Sequence, residues 1–297
     1  MKKSIAIIIL IITSIFITTK VKAETNYINE KGVSIPIEKY NYLKEFFSNK
    51  FINNLNQTKY DSIKEKEFIK EESQTIYLIY REYYNDTGDM IFSESQNLSE
   101  EEYNTYNSIQ TFRTCTEDET MSYHECWATD SKKLVFSFVC ESTTTTCYLA
   151  AELQWLTQPK VRSYDVFAMR WTSNFSPTTF FATQGAWING LPEQTEYHPG
   201  GTNSIFTTAG LGVSMNLYND GLWFEFYMDV EGKRTIIQTM TGYVTYQHAK
   251  TALTLAESKS YSFSSSGLGG VLYYSNSSIR NKYDGMQGLS MNYIMSI

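Results

Sequence analysis

The clearest chemical pattern in the sequence is an alternation of aromatic and acidic residues along one predicted strand. Trp223, Glu225, Tyr227 and Asp229 recur at every second position, and residues with this spacing lie on the same face of a β-strand. Aromatic rings offer flat apolar surfaces, and carboxylates accept hydrogen bonds from hydroxyl groups. We interpret these four residues as a candidate surface for an extracellular glycan or protein ligand. The alternative is a purely structural face, covered by another sheet or by the N-terminal unit.

A second interpretation gives the acidic residues a catalytic role. Glycoside hydrolysis requires only two carboxylates about 5 to 9.5 Å apart in space, so a secreted, glycosidase-like hydrolase that uses dispersed carboxylates is an alternative function. The chain contains 32 acidic residues, and their positions do not single out a pair. We therefore assign no catalytic residue.

The other catalytic signatures are missing from the sequence. The three histidines, His124, His198 and His248, do not have the spacing of metal ligands, and we expect them to be surface or turn residues. There is no Gly-x-Ser-x-Gly elbow, phosphate-binding loop or dinucleotide-binding fingerprint. These observations favour a non-catalytic, adhesin-like binding module that uses no metal and no cofactor.

A third and less favoured interpretation is a pore-forming protein. Residues 202–217 and 235–246 are rich in Ser and Thr and alternate in polarity, as the strands of a transmembrane barrel do. Soluble β-sandwiches have the same pattern, so the pattern alone does not separate the two.

The first 23 residues have the features of a secretory signal peptide. A basic start at Lys2 and Lys3 precedes an apolar stretch at residues 5–17, and Val21-Lys22-Ala23 offers a small-x-small cleavage site. Cleavage would remove four lysines and no acid, which leaves 21 basic against 32 acidic side chains. Such an acidic chain is a poor partner for nucleic acid and anionic lipid. We expect a secreted, extracellular protein without a stable membrane anchor.

The four cysteines predict two local disulfides, since an exported chain meets an oxidising environment. On one predicted strand Leu134, Phe136, Phe138 and Cys140 alternate, and on the next Cys147, Leu149, Ala151 and Leu153 do so. An antiparallel hairpin with Cys140 opposite Cys147 places every one of these residues opposite an apolar partner, whereas a slip by one residue would turn the set outward. Cys115 is then left to pair with Cys126.

Residues 24–110 read as a small α+β unit. After Pro36, five apolar residues recur at helical spacing, which predicts the start of an amphipathic helix. They are Tyr40, Leu43, Phe47, Phe51 and Leu55. Residues 75–84 and 90–95 flank a cluster of turn formers at 85–89, which predicts a β-hairpin. Ser99 and Glu102 have the spacing of a capping box at a helix start.

Residues 111–297 read as one antiparallel β-domain, either a β-sandwich or a partly open barrel. Short alternating segments are separated by turn signals throughout this region. Residues 211–217 and 222–230 flank Tyr218-Asn219-Asp220-Gly221, which predicts a hairpin. Its second strand would carry an apolar face made of Leu222, Phe224, Phe226, Met228 and Val230.

Four segments carry a resemblance to known sequences: VRSYDV at residues 161–166, GLGVS at 210–214, YQHA at 246–249 and YDGM at 283–286. With these segments, residues 75 to 290 resemble uncharacterised secreted proteins of low-GC Gram-positive bacteria. The resemblance implies an exported β-rich product. It implies no activity and no catalytic residue.

Overall fold

The structure is a computed structural model that describes residues 26–84, 90–109, 128–235, 240–263, 271–284 and 288–293. The chain divides into two compact units, Met1–Lys64 and Glu65–Ile297, whereas the sequence predicted a boundary at residue 110. Several predicted features lie outside the described residues. They are the signal peptide at residues 1–23, the hairpin loop at 85–89, Cys115, Cys126 and His124.

In the first unit, the described residues 26–64 form a two-stranded hairpin and three short helices. The hairpin contains β1 (Asn26–Ile28) and β2 (Ser34–Pro36), and the helices are α1 (Ile37–Lys44), α2 (Asn49–Asn54) and α3 (Gln57–Ile63). The apolar residues predicted to start one helix lie on α1, on α2 and beside them. Ser48 separates these helices, because its hydroxyl accepts a hydrogen bond from the Phe51 amide and caps α2.

The second unit is a β-sandwich built from a seven-stranded and a five-stranded antiparallel sheet. The larger sheet has the order β4 (Met90–Leu98), β3 (Phe68–Tyr84), β5 (Ala128–Glu141), β6 (Thr146–Trp155), β12 (Gly221–Arg234), β8 (Phe175–Ile188), β9 (Leu191–Tyr197). The smaller sheet has the order β10 (Ser204–Phe206), β11 (Gly210–Asn216), β7 (Tyr164–Trp171), β13 (Met240–Gln247), β16 (Leu289–Tyr293).

Smaller elements accompany the two sheets in the described part of the second unit. Strands β14 (Tyr261–Phe263) and β15 (Leu272–Tyr274) form a separate hairpin. The helices are α4 (Glu100–Ile109), α5 (Leu255–Ser258) and α6 (Ser277–Arg280). The predicted capping box is present at α4, where Ser99 and Glu102 exchange hydrogen bonds of 2.7 and 3.2 Å.

The predicted hairpin of β5 and β6 is confirmed in its register and in its disulfide. Cys140 lies opposite Cys147, and Phe138, Phe136 and Leu134 lie opposite Leu149, Ala151 and Leu153. The two cysteines form a disulfide with 4.0 Å between their Cα atoms. The alternating apolar residues of both strands point into one core, so a shifted register would expose them.

Strands β3 and β4 pair as the predicted hairpin, but they belong to the sandwich. β3 also pairs with β5 along most of its length, from Phe68 opposite Glu141 to Glu82 opposite Ala128. The sequence grouped β3 with the N-terminal helices because they are close in the chain. The strand pairing places it with β5, which lies more than 40 residues further on.

The predicted hairpin around Tyr218-Asn219-Asp220-Gly221 is wrong. A turn is present, with the Gly221 amide donating to the Tyr218 carbonyl at 3.1 Å, but β11 and β12 do not pair with each other. β11 lies in the five-stranded sheet and β12 in the seven-stranded sheet. Both strands have a strongly apolar inner face, and crossing between the sheets buries the two faces in the same core.

An ion pair joins α5 to the residues after α6 and makes a pH dependence testable. Glu257 accepts hydrogen bonds from Lys282 Nζ at 2.7 Å and from the Thr254 amide at 2.8 Å. These contacts lower the pKa of Glu257 from 4.5 to about 2. A carboxyl whose pKa is lowered by folding stabilises the protein at pH values above its pKa in the unfolded chain. For Glu257 that stabilisation disappears as the pH falls from 4.5 towards 2.

We expect an NMR titration of the Glu257 carboxyl to show a midpoint near 2. Lys282→Met should raise that midpoint, because it removes the hydrogen bond that contributes most. Lys259→Met is the matched control, since the Lys259 ammonium donates to the Thr202 carbonyl instead. An unchanged midpoint in Lys282→Met would contradict the assignment.

Candidate functional site

The four residues proposed as a ligand surface all lie on β12, but they differ in exposure. Trp223 is 63% exposed and Glu225 is half-buried, whereas Tyr227 and Asp229 are 1% and 8% exposed. Burial raises the pKa of Tyr227 well above its usual range, and the nearby Asp229 and Glu152 carboxylates raise it further. Of the four side chains, only those of Trp223 and Glu225 are accessible to a ligand.

A β-bulge explains why Trp223 is exposed. Leu222 lies opposite Trp187 on β8, and the next paired residue, Glu225, lies opposite Gly185. Two residues of β12 thus face one of β8, and Trp223 adopts a positive φ of 56°, which is rare for a bulky side chain. The extra residue also moves Leu222 to the outer face, where it is 40% exposed, so its predicted inward position is wrong.

The bulge creates an exposed apolar area at one end of the seven-stranded sheet. We call Trp187, Leu222 and Trp223 the tryptophan patch; they are 46%, 40% and 63% exposed. Leu222 and Trp187 are directly opposite on neighbouring strands and therefore share a face. Isolated exposed apolar residues are ordinary on a protein surface, but a contiguous group that contains two indoles is characteristic of a contact surface.

A row of polar residues crosses the sheet next to the tryptophan patch. In this row Gln154, Glu225, Gly185 and Gln194 lie opposite one another on β6, β12, β8 and β9. The two glutamines are exposed. Gly185 contributes no side chain to this row. Amide and carboxylate groups therefore lie beside two indole rings on an open sheet surface.

A cleft of about 310 Å³ lies near the same end of the sheet, at the turn from β11 to β12. Its lining residues are Ile188, Asn216, Leu217, Tyr218, Asn219 and Asp220. Arg162 braces this turn by donating to the carbonyl oxygens of Gly221 and Tyr218 at 2.7 and 3.3 Å. The turn is thus fixed in place beside the tryptophan patch.

A second group of polar residues lies inside the sandwich. We call Lys132, Asp165, Tyr246, His248 and Asp284 the core polar cluster; each is 2% exposed or less. The carboxylate of Asp165 accepts hydrogen bonds from Tyr246 Oη, from His248 Nδ1 at 2.9 Å and from the Ala249 amide at 2.9 Å. Burial and the Asp165 charge raise the pKa of Tyr246 well above its usual range.

Trp155 covers the core polar cluster and is bonded to it. Its indole N–H donates to Tyr246 Oη at 3.0 Å, and its ring meets the His248 ring edge-on at 4.7 Å. Lys132 Nζ lies 4.5 Å from the centre of the same indole and contacts Asp284 Oδ2. The carboxylates and the imidazole are held in fixed positions, but their burial keeps an external substrate away from them.

The core polar cluster was missed at the level of sequence, and His248 was wrongly expected at the surface or in a turn. One signal was present. Lys132 continues the inward alternation of Leu134, Phe136, Phe138 and Cys140, so a lysine lies in register with a core face. His198 does lie in a turn, where the Gly201 amide donates to its carbonyl at 3.1 Å.

Within the described ranges, no group of three or more His, Cys, Asp or Glu side chains is arranged to hold a metal ion. None of the helices in these ranges is long and apolar enough to cross a membrane.

Comparisons with known proteins give little further information. No family model matches the chain, and no curated protein is significantly similar to it. Among solved structures, a chain described as "BspA_C_WT" is 5% identical, with a TM-score of 0.28, and the match covers 61% of this chain and 88% of that one.

A second structure is the C-terminal domain of the AgI/II polypeptide BspA of Streptococcus agalactiae. It is 5% identical, with a TM-score of 0.27, and the match covers 58% of this chain and 79% of that one. Both TM-scores are too low to establish a shared fold, so neither similarity supports a statement about function.

Proposed function

We propose that this protein is a secreted, non-catalytic binding module of the adhesin-like kind, and that the tryptophan patch and the adjacent polar row bind an extracellular glycan. The main support is the exposure of Trp223 on a strained backbone. A positive φ at a bulky residue costs about 1–3 kcal/mol and is typical of functional sites. From Glu225 to Glu231 the same strand pairs with β8 without a shift, so the strand is regular beside the bulge, and the bulge has a cost that a ligand contact would explain.

The chemistry of the surface fits a sugar better than an apolar or strongly charged ligand. Sugar rings present C–H faces that pack on indoles, together with hydroxyl groups that donate to carboxylate and amide oxygens. The tryptophan patch supplies two indoles, and Gln154, Glu225 and Gln194 supply the polar groups. The acidic composition of the chain disfavours anionic polymers. We therefore expect a neutral glycan.

Binding to a glycan array followed by titration with the best glycan tests this proposal. We expect Trp223→Ala to weaken binding by about tenfold or more, as the loss of an aromatic anchor does at other interfaces. Tyr273→Ala is the matched control, because Tyr273 is 61% exposed on β15, away from the patch. Tyr227 is unsuitable as a probe, since it is buried and its removal would disturb the fold.

Two results would contradict the proposal. One is the absence of binding to any neutral glycan, which would point to a protein ligand instead. The other is equal affinity of the wild-type protein and Trp223→Ala, which would place the glycan elsewhere.

A further inference from the structure

Lys132 occupies an unusual position for a lysine. It lies on β5 directly opposite Trp155, on the face that packs into the core, and its side chain is fully buried. Its Nζ contacts Oδ2 of Asp284, which is also fully buried. The rings of Trp155 and Tyr246 lie 4.5 and 5.5 Å from Nζ. An amine and a carboxyl group are thus held together out of reach of bulk solvent, between aromatic rings.

Burial makes the ionic form of this pair expensive. Taking two opposite charges out of water costs several kcal/mol per ion. Transfer of one proton from Nζ to Asp284 cancels both charges and leaves a neutral amine beside a neutral carboxylic acid. A neutral, desolvated lysine amine is a nucleophile, and Cγ of Asp284 is the electrophilic carbon next to it.

Backbone hydrogen bonds fix the position of Asp284 and place a donor at its Oδ1 atom. The His248 amide donates to Asp284 Oδ1 at 3.0 Å, and the Asp284 amide donates to the His248 carbonyl at 2.9 Å. Oδ1 is thereby held by a backbone donor while Oδ2 faces Nζ. Attack on Cγ would place negative charge on Oδ1, where the His248 N–H group stabilises it as an oxyanion-hole donor does.

We infer that Lys132 and Asp284 become joined by an amide bond in the folded protein. The Nζ–Cγ bond forms and the Cγ–Oδ2 bond breaks. Oδ2 leaves as water with two hydrogens that come from the lysine ammonium, so an ammonium and a carboxylate become an amide plus one water. No atom is oxidised or reduced, and no co-reactant is required. The exclusion of bulk solvent protects the amide from hydrolysis.

The bond would link distant parts of the second unit. Lys132 lies on β5 of the seven-stranded sheet, and Asp284 follows α6, shortly before β16 of the five-stranded sheet. The two residues are 152 positions apart in the sequence. The crosslink would therefore close most of the sandwich into one covalent ring, whereas the disulfide at Cys140 and Cys147 closes a single hairpin.

The intact mass of the folded full-length chain tests the inference. After reduction of disulfides and denaturation, we expect the mass to lie one water below that of the sequence, with the N-terminus located on the same sample. Protease digestion should yield a branched peptide that connects Lys132 to Asp284. Asp284→Asn should lose one ammonia instead of one water, because the leaving group changes.

Lys132→Arg and Asp284→Ala should both show the full mass. Lys133→Arg is the matched control and should still lose one water, since Lys133 is only half-buried and belongs to the other face of β5. A folded wild-type chain that keeps its full mass after prolonged incubation would overturn the inference. So would a mass loss that persists in Lys132→Arg. The wild-type measurement decides the matter even if a variant fails to fold.

Discussion

Asp165→Ala is expected to lower the free energy of unfolding of the second unit by about 3–5 kcal/mol, because it removes a buried acceptor that several buried donors share. The carboxylate is fully buried and accepts hydrogen bonds from Tyr246 Oη, His248 Nδ1 and the Ala249 amide. Alanine leaves these three donors in the core without their acceptor, and each buried unsatisfied group costs about 1–3 kcal/mol.

Urea unfolding followed by tryptophan fluorescence measures this loss. All five tryptophans lie between residues 127 and 223, so the signal reports on the second unit alone. Asp165→Asn retains an acceptor oxygen and should lose less. Asp220→Ala removes an exposed aspartate and should change stability by no more than about 0.5 kcal/mol. An effect of Asp165→Ala as small as that of Asp220→Ala would show that the core polar cluster contributes little to stability.

Trp155→Ala should be similarly damaging, with an expected loss of about 3–5 kcal/mol. The indole is 1% exposed, lies among core residues of both sheets and donates to Tyr246 Oη at 3.0 Å. Alanine leaves a large cavity at this position and removes the donor. Trp155→Phe keeps much of the ring volume but not the N–H group, so its free energy of unfolding should fall by less. The difference between the two variants separates the contribution of packing from that of the hydrogen bond.

The same urea experiment compares Trp155→Ala with Trp187→Ala. Trp187 is 46% exposed in the tryptophan patch, and its removal should change the free energy of unfolding by no more than about 0.5 kcal/mol. Equal losses in the two variants would mean that Trp155 does not support the core. The pair of variants also separates stability from ligand binding, since Trp187→Ala should act on binding.

Local patterns were sufficient to predict the β5–β6 hairpin. Its register follows from alternation within about 20 residues and from two cysteines that share a face. The bulge at Trp223 was not predictable in this way, because one extra residue in β12 is defined only by its pairing with β8. Tyr227 and Asp229 follow Glu225 in regular pairing and are nevertheless buried, so the exposed surface lies at Trp187 and Trp223 instead.

The core polar cluster depends on contacts between distant parts of the chain. Asp165 and His248 are 83 positions apart, and Lys132 and Asp284 are 152 apart. Such contacts follow from the packing of two sheets, so the alternation that places Lys132 on the core face of β5 does not reveal its partners. The break between β11 and β12 was missed for a related reason. The same turn residues fit a hairpin and a crossing between sheets, and only the shared core decides between them.

The outermost position of β9 in the seven-stranded sheet has a consequence for self-association. A strand at the margin of a sheet offers unpaired backbone groups to any other extended chain, which is a route to aggregation. β9 carries Pro192, Glu193 and Glu196 in exposed positions. Proline lacks an amide donor and glutamates repel one another, so a second molecule would find few groups with which to extend the sheet. The composition of this margin therefore opposes edge-to-edge pairing between copies of the chain.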